Sequence, residues 1–343
     1  MEIKDWLMEL SAAAGVSGLT GALDVAQREL SRFAQVRRED GSLIGSMKGE
    51  TDYTIMFDAH IDEIGMIVTT VEEGGFVRAA KAGGIDFRTL AAQPVTIWGK
   101  KPVHGLFAST PPHLQKDGAG DVPDISARLI DTGLSAAEAG ALISPGDRIT
   151  FRQEPAMLLD DYLTGKSLDN RAGVTCLLQI ARLLSAEKTL PCNVVFLLSD
   201  QEELGCRGAE TAAFAQRPDE AVAVDVSFGD SPSVPAHKTG KLGEGGMIGI
   251  SPVLSAAITG RLTELAREQG IPHQPEVMGG ETSTNADVIA LTGAGIPCGL
   301  LSIPLRSMHT TAEVIRLCDV DSAARLLAAY ALAGGMKGGA SVC

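Results

Sequence analysis

The chain has 343 residues, of which 45% are hydrophobic and 21% are charged, the balance of an ordinary globular protein with room for one large domain and a smaller one. The formal net charge of −14 and the lack of a basic cluster argue against nucleic-acid binding, because such proteins gather Lys and Arg on one face. The acidic N-terminus, the lack of a long apolar run and six cysteines without a Cys-x-x-Cys pair lead us to expect no export signal, no membrane span and a cytoplasmic protein with reduced thiols.

The first elements of the chain are a predicted helix and a predicted strand. Helical spacing of apolar residues indicates a helix over residues 2–14, and Gly15 follows as a stop signal. The apolar run 53–58 is rich in strand formers and leads directly into His60 and Asp62. A polar group is therefore expected where a buried strand ends.

The region from residue 66 to 158 has a different sequence pattern. Short alternating runs, punctuated by Gly and Pro, recur at 94–98, 102–107, 125–130 and 146–151. Short strands at such spacing are typical of a small β-barrel or sandwich. We expect an inserted all-β module here.

The remainder of the chain alternates between helix and strand patterns. Helices are predicted over 172–184, 253–269 and 320–332, and strands over 193–199, 221–225 and 299–303. This alternation predicts an α/β fold, with a mixed sheet covered by helices on both faces. We therefore divide the chain into a discontinuous α/β domain, residues 1–66 and 159–343, and an inserted barrel, residues 67–158.

Metal-competent side chains stand near the carboxyl ends of several predicted strands, where open α/β sheets bind their ligands. They are His60 and Asp62, Glu202 and Glu203, Asp225, and His309, with Asp169 in the loop before a long helix. Two histidines with several carboxylates and no thiol suit Zn²⁺, Co²⁺ or Mn²⁺ better than a structural cysteine site. Asp169 is the candidate bridge between two ions, because a carboxylate can bind both and offset their repulsion.

Each of these signals also has a structural interpretation. His60 or His309 could be a hydrogen-bonded structural histidine, and Glu202-Glu203 could be a solvated helix start that uses the helix dipole. Asp169 could be a helix cap. The occurrence of all of them at the expected place in the topology favours the metal interpretation.

Five segments carry a resemblance to a known family. They are DAHIDEIG (58–65), SLDNRAG (167–173), QEELGCRGA (201–209), VDVS (224–227) and IPLRSMH (303–309). In this order they resemble the motifs of the tetrahedral aminopeptidases, which include glutamyl and deblocking aminopeptidases and some proteins once labelled endoglucanases. The resemblance spans residues 5–335 and implies a zinc-peptidase type of α/β fold whose inserted barrel shapes oligomer contacts.

The resemblance also implies roles for the site residues. One divalent metal would be held by His60, Asp225 and the bridging Asp169, and a second by Glu203, His309 and the same Asp169. Zn²⁺ is preferred, with Co²⁺ and Mn²⁺ as alternatives. Glu202 would then be the general base, and Asp62 would accept from the other ring nitrogen of His60 and orient it.

Two departures from the family pattern bear on the substrate. Residues 284–287 read Thr-Asn-Ala-Asp where many relatives read Thr-Asp-Ala-Asn, and Ser307 replaces a Tyr close to the last ligand. Arg306 remains and is a candidate for binding a peptide carboxylate or carbonyl, although a structural ion pair is the alternative. The preferred N-terminal residue is therefore not predicted.

The predicted function is an aminopeptidase for short peptides that assembles as a homo-oligomer, a dodecamer by resemblance with dimers as building blocks. Three alternatives stay open. They are a related amidohydrolase or deacylase, a glycoside hydrolase that uses Glu202 and Asp62, and a non-catalytic scaffold.

Overall fold

The computed structural model describes residues 2–109, 111, 124–232 and 234–338. The helices of this part are α1 (Ile3–Ala12), α2 (Gly21–Leu30), α3 (Ala136–Leu142), α4 (Leu168–Ser185), α5 (Arg207–Gln216), α6 (Ala256–Glu268), α7 (Asn285–Leu291) and α8 (Leu317–Leu332). The strands are β1 (Gln35–Glu39), β2 (Ser42–Met47), β3 (Thr54–His60), β4 (Gly65–Val71), β5 (Val77–Ala82), β6 (Pro94–Trp98), β7 (Pro102–Phe107), β8 (Ile130–Asp131), β9 (Arg148–Phe151), β10 (Ala156–Met157), β11 (Tyr162–Gly165), β12 (Asn193–Ser199), β13 (Glu220–Phe228), β14 (Gly246–Ile250), β15 (His273–Val277), β16 (Cys298–Leu305) and β17 (Glu313–Arg316).

The centre of the molecule is an eight-stranded mixed sheet in the order β1-β2-β12-β3-β13-β16-β14-β15. Its four inner strands, β12, β3, β13 and β16, run parallel, whereas β2 and β14 flank them antiparallel. The inner strands are buried almost throughout, as continuous apolar runs in parallel strands require. Their carboxyl ends meet at one edge of the sheet.

Helices cover both faces of this sheet, as predicted. Helices α1, α2, α4, α6 and α8 share one apolar core with alternate residues of the inner strands, such as Phe57, Phe196 and Val224. Helices α5 and α7 pack on the other face against the intervening residues, such as Met56 and Leu197. The predicted α/β fold class is confirmed. Within the described residues, no helix combines the length and apolar character needed to cross a membrane.

The insert forms a closed barrel in the order β4-β5-β8-β7-β6-β9. It has its own apolar core, which includes Met66, Val95 and Ile149. The barrel strands begin at Gly65 and end at Phe151, and β10 and β11 then join β17 in a small separate sheet. A small inserted barrel is thus confirmed, while its assignment as an oligomerisation domain of residues 67–158 stays a prediction.

One predicted strand of the barrel is wrong. Residues 125–130 were expected to be extended, but Ile125–Ala127 forms a 3₁₀ turn and β8 is confined to Ile130–Asp131. The carboxylate of Asp124 accepts hydrogen bonds from the backbone N–H and the hydroxyl of Ser126. This local capping competes with strand formation.

The turn between β4 and β5 offers a test of the barrel packing. Gly74 and Gly75 both have positive φ, +93° and +86°, so an alanine at either position is strained. A Cβ on Gly75 would also lie 2.1 Å from the Leu134 carbonyl oxygen, whereas one on Gly74 would lie 3.6 Å from the Phe76 ring. Gly75→Ala should therefore lower the free energy of unfolding by roughly 1–3 kcal/mol more than Gly74→Ala. Urea unfolding measures both, and equal losses would contradict the packing at Gly75.

Candidate metal centre

The sheet brings the ends of three neighbouring strands together. Ser199 of β12 lies beside His60 of β3, and Ala223 of β13 lies beside Asp58 of β3. His60 is the last residue of its strand, whereas Asp225 lies within β13, which continues past the predicted end to Phe228. Glu202 and Glu203 follow β12 in a turn that precedes α5, so the interpretation as a helix start is wrong for this pair.

Asp169 lies in a distorted first turn of α4. Its backbone and that of Asn170 depart from helical angles, and the peptide bond between them is cis. The side chain of Asn170 accepts a hydrogen bond from the N–H of Gly173 at 2.9 Å. Asn170 therefore takes the capping position that was the alternative role for Asp169, and the Asp169 carboxylate faces the strand ends.

The two oxygens of Asp169 contact two different histidines. Oδ1 lies 3.0 Å from His60 Nε2, and Oδ2 lies 3.2 Å from His309 Nε2. Asp225 Oδ1 lies 3.8 Å from His60 Nε2, and Glu203 Oε1 lies 3.4 Å from His309 Nε2. The side chains form two groups that share Asp169, and within each group one donor atom per residue lies within 4.8 Å of the others.

Asp62 holds both His60 and the turn after β12. Nδ1 of His60 lies 3.2 Å from the backbone carbonyl oxygen of Asp62 and 3.5 Å from its carboxylate. The same carboxylate accepts hydrogen bonds from the N–H groups of Glu202 and Glu203, at 3.0 and 3.2 Å. Asp62 lies beside the imidazole and fixes the backbone that carries both glutamates, while its role in orienting a metal ligand stays a prediction.

Glu202 stands outside both groups but next to them. Its Oε2 lies 4.0 Å from His60 Nε2, and its Oε1 accepts from the thiol of Cys206 at 3.6 Å. Burial raises the pKa of Glu202 to about 7, against the opposing effect of His60. A carboxyl group with such a pKa can take up and release a proton near neutral pH.

The ionisable groups depend strongly on each other. Burial, reinforced by Asp169, raises the pKa of Asp225 well above its ordinary value. Burial opposes a charge on both His60 and Asp169. The hydrogen bond with Asp169 nevertheless raises the pKa of His60, and those with His309 and His60 hold the pKa of Asp169 far below its usual range. The Asp169 and Glu203 carboxylates raise the pKa of His309 to about 11.

The donor atoms of each group surround a position that suits a positive charge. A divalent cation there would meet one imidazole nitrogen and two carboxylates. Neutral imidazole with carboxylate is a donor set that suits Zn²⁺, Co²⁺ or Mn²⁺. The described residues therefore fit a pair of adjacent cations.

Three elements that hold the site were missed in the sequence. Glu313 accepts hydrogen bonds from the N–H groups of both Asp169 and His309. The buried carboxylate of Glu63 binds Lys166 at 2.7 Å and the N–H of Gly15 at 2.6 Å, which fastens the chain just before Asp169. The third is Gly84, next to the barrel strand β5, where an added Cβ would lie only 2.9 Å from His309 Nδ1.

The candidate substrate residue has a structural partner. Arg306 Nη2 lies 2.8 Å from the Asp230 carboxylate, and its Nε donates to the Asp230 carbonyl oxygen. The ion pair that was the alternative for Arg306 is thus present, and a role in substrate binding stays a prediction.

The departures at residues 284–287 have a structural explanation. The Asn285 amide donates to the buried carboxylate of Asp58 at 2.8 Å, just beneath His60. The Asp287 carboxylate accepts from the N–H groups of Thr282 and Ser283 at the start of α7. Asn285 therefore ties α7 to the sheet, whereas Asp287 fixes the segment that leads into α7.

Comparison with known proteins finds matches that cover most of the chain. A family model described as M42 glutamyl aminopeptidase matches residues 41–326. The lysyl aminopeptidase of Pyrococcus furiosus is 30% identical over 336 residues, which cover 94% of this chain and 95% of that protein. An aminopeptidase structure from the archaeon Desulfurococcus kamchatkensis is 28% identical, with a TM-score of 0.91 over 99% of each chain. The structure of the Pyrococcus horikoshii TET1 peptidase, which can assemble into a tetrahedron or a large octahedral shell, is 29% identical, with a TM-score of 0.85 over 96% of this chain and 99% of that one.

The close approach of Gly84 to His309 can be tested by adding one methyl group at residue 84. Gly84→Ala should push the imidazole away from Asp169 and Glu203 and weaken Zn²⁺ binding by about 10-fold or more, the effect of disturbing groups that orient a ligand. Gly140→Ala is the matched control, because a Cβ there has no described atom within 4 Å. Competition with a chromogenic chelator measures the affinity. Equal Zn²⁺ affinities for the two variants would show that the barrel does not constrain His309.

Proposed function

Since the chain belongs to the M42 glutamyl aminopeptidase family and is a metal-dependent aminopeptidase, we propose that it removes N-terminal residues from short peptides with two divalent cations and Glu202 as general base. The preferred cation is Zn²⁺, with Co²⁺ or Mn²⁺ as alternatives. The observation that carries the proposal is the position of Asp169, whose two carboxylate oxygens each lie beside a different imidazole.

The two groups of side chains divide the ligands. His60 and Asp225 would hold one cation, and Glu203 and His309 the other, with Asp169 shared between them. Bound cations would act as Lewis acids, which lower the pKa of water and polarise a carbonyl group. The protein's own side chains bind the substrate and transfer the proton.

Glu202 would move the proton. Its backbone N–H is held by Asp62, so the carboxylate stays beside His60 without belonging to either ligand group. There it accepts a proton from the attacking water as the new C–O bond forms, and it returns that proton to the leaving amine as the C–N bond breaks. The acidic wall of Glu202 and Glu203 would also attract the free α-ammonium group of a peptide.

The assembly of the chain would limit the size of its substrates. The related TET1 peptidase of Pyrococcus horikoshii can form closed shells, and a similar assembly of this chain, a dodecamer built from dimers through the barrel, would admit short peptides and exclude folded proteins. We place this homo-oligomer in the cytoplasm.

Substitution of the base should separate catalysis from metal binding. Glu202→Gln keeps the size of the side chain but cannot accept a proton, so we expect kcat to fall by about 10²–10⁴-fold while two cations remain bound. Glu210→Gln, on the exposed face of α5, is the control and should keep both properties. Measurements of kcat on an aminoacyl anilide and of metal content test this. Unchanged turnover in the Glu202 variant would remove it from the mechanism.

Acetylation of the substrate's α-amine and removal of the metal distinguish the proposed reaction from its alternatives. We expect dipeptides with a free amine to be hydrolysed and their N-acetylated forms to be resistant, and we expect chelation to abolish the hydrolysis until Zn²⁺, Co²⁺ or Mn²⁺ is restored. Cleavage of the acetyl group itself would favour a deacylase. Hydrolysis of a glycoside that survives chelation would favour paired carboxylate catalysis, and an inactive chain with little bound metal would favour a scaffold.

A further inference from the structure

Glu313 is a buried acid outside both groups of donor atoms. It begins β17, where it pairs with Gly165 of β11, and only 1% of its surface is exposed. A buried carboxylate is costly unless it is hydrogen-bonded. Each carboxyl oxygen of Glu313 accepts a hydrogen bond from a different backbone amide. One bond comes from His309 N–H at 2.8 Å and the other from Asp169 N–H at 3.2 Å.

These two amides belong to residues that are distant in the sequence and adjacent in the site. Asp169 lies in the non-helical first turn of α4, and His309 lies in a loop with a left-handed φ of 61°. Neither backbone is therefore positioned by a regular helix or strand. The Glu313 side chain, which accepts from both amides, links these two segments directly.

The two donor groups do not depend equally on this connection. His60 and Asp225 come from neighbouring strands of the central sheet, and the carbonyl oxygen of Asp62 orients His60. His309 comes from the β16–β17 loop, whose ends are joined by the Arg306–Val314 bridge. The group formed by Asp169, Glu203 and His309 therefore relies on Glu313 for its geometry more than the group formed by Asp169, His60 and Asp225.

We propose that Glu313 is a positioning residue that couples Asp169 to the His309 loop and determines the affinity of the Glu203–His309 cation site. The inference rests on the proposed two-cation function. Glu313 acts through the two backbone amides and does not contact the substrate.

The test measures stepwise Zn²⁺ binding by metal-stripped protein in competition with a chelator. Glu313→Gln replaces one acceptor oxygen by an NH₂ group, so one of the two amides loses its partner. We expect one binding step to weaken by about 10–100-fold and the other to change by less than about 3-fold. Equal weakening of both steps, or of neither, would overturn the proposal.

Asp319→Asn is the matched control for loss of a buried carboxylate. Asp319 is fully buried and likewise accepts from two backbone amides, those of Gly243 and Gly245, at 2.7 and 2.8 Å, but it does not belong to the donor groups. We expect this variant to lose stability in urea and to keep both Zn²⁺ affinities. If it weakened the same binding step as Glu313→Gln, general destabilisation would explain the result and the proposal would fail.

A second variant separates the position of the carboxyl group from its presence. Glu313→Asp keeps a carboxyl group and withdraws its oxygens by one methylene, so positioning predicts that the same step weakens as in Glu313→Gln. Wild-type affinity in Glu313→Asp would show that the position of the oxygens does not matter and would contradict the proposal. Failure of the proposed function itself is seen in the unsubstituted chain, as fewer than two bound cations or as hydrolysis that persists after chelation.

Discussion

The carboxylate of Asp169 lies between two imidazoles that come from opposite ends of the chain, His60 and His309. This contact is possible only because the first turn of α4 departs from helical geometry and Asn170 caps the helix in its place. The other residues of the site are arranged around this one carboxylate. It is buried and negatively charged, and each of its two oxygens lies beside a different imidazole.

Burial of so many acids is tolerated because each has a defined partner. Asp62 and Glu313 each accept from two backbone N–H groups, and Glu63 binds Lys166. Such hydrogen bonds lower the free-energy cost of burying an acidic side chain. These partners fix the backbone, whereas the donor atoms of the two groups are left to face each other.

The architecture could largely be predicted from the sequence, and the reasons differ by element. Strand 193–199 is a continuous apolar run, and the structure places β12 at the same residues, because burial on both faces leaves a clear local signal. Turn 125–127 was misassigned since one Asp124 side chain decided its conformation. The pairing of Glu313 with Asp169 and that of Arg306 with Asp230 join residues far apart in the sequence, and the periodicity of apolar residues contains no information on such contacts.

The position of the barrel in the chain explains why it reaches the site. It is inserted between β3, which ends at His60, and β10, and its first strand begins at Gly65, shortly after that histidine. Gly84 at its rim approaches His309, and Gln93 accepts a hydrogen bond from Thr311 in the same loop at 3.2 Å. The orientation of His309 therefore depends on the barrel as well as on the α/β domain, because a side chain larger than that of glycine at position 84 would meet the imidazole.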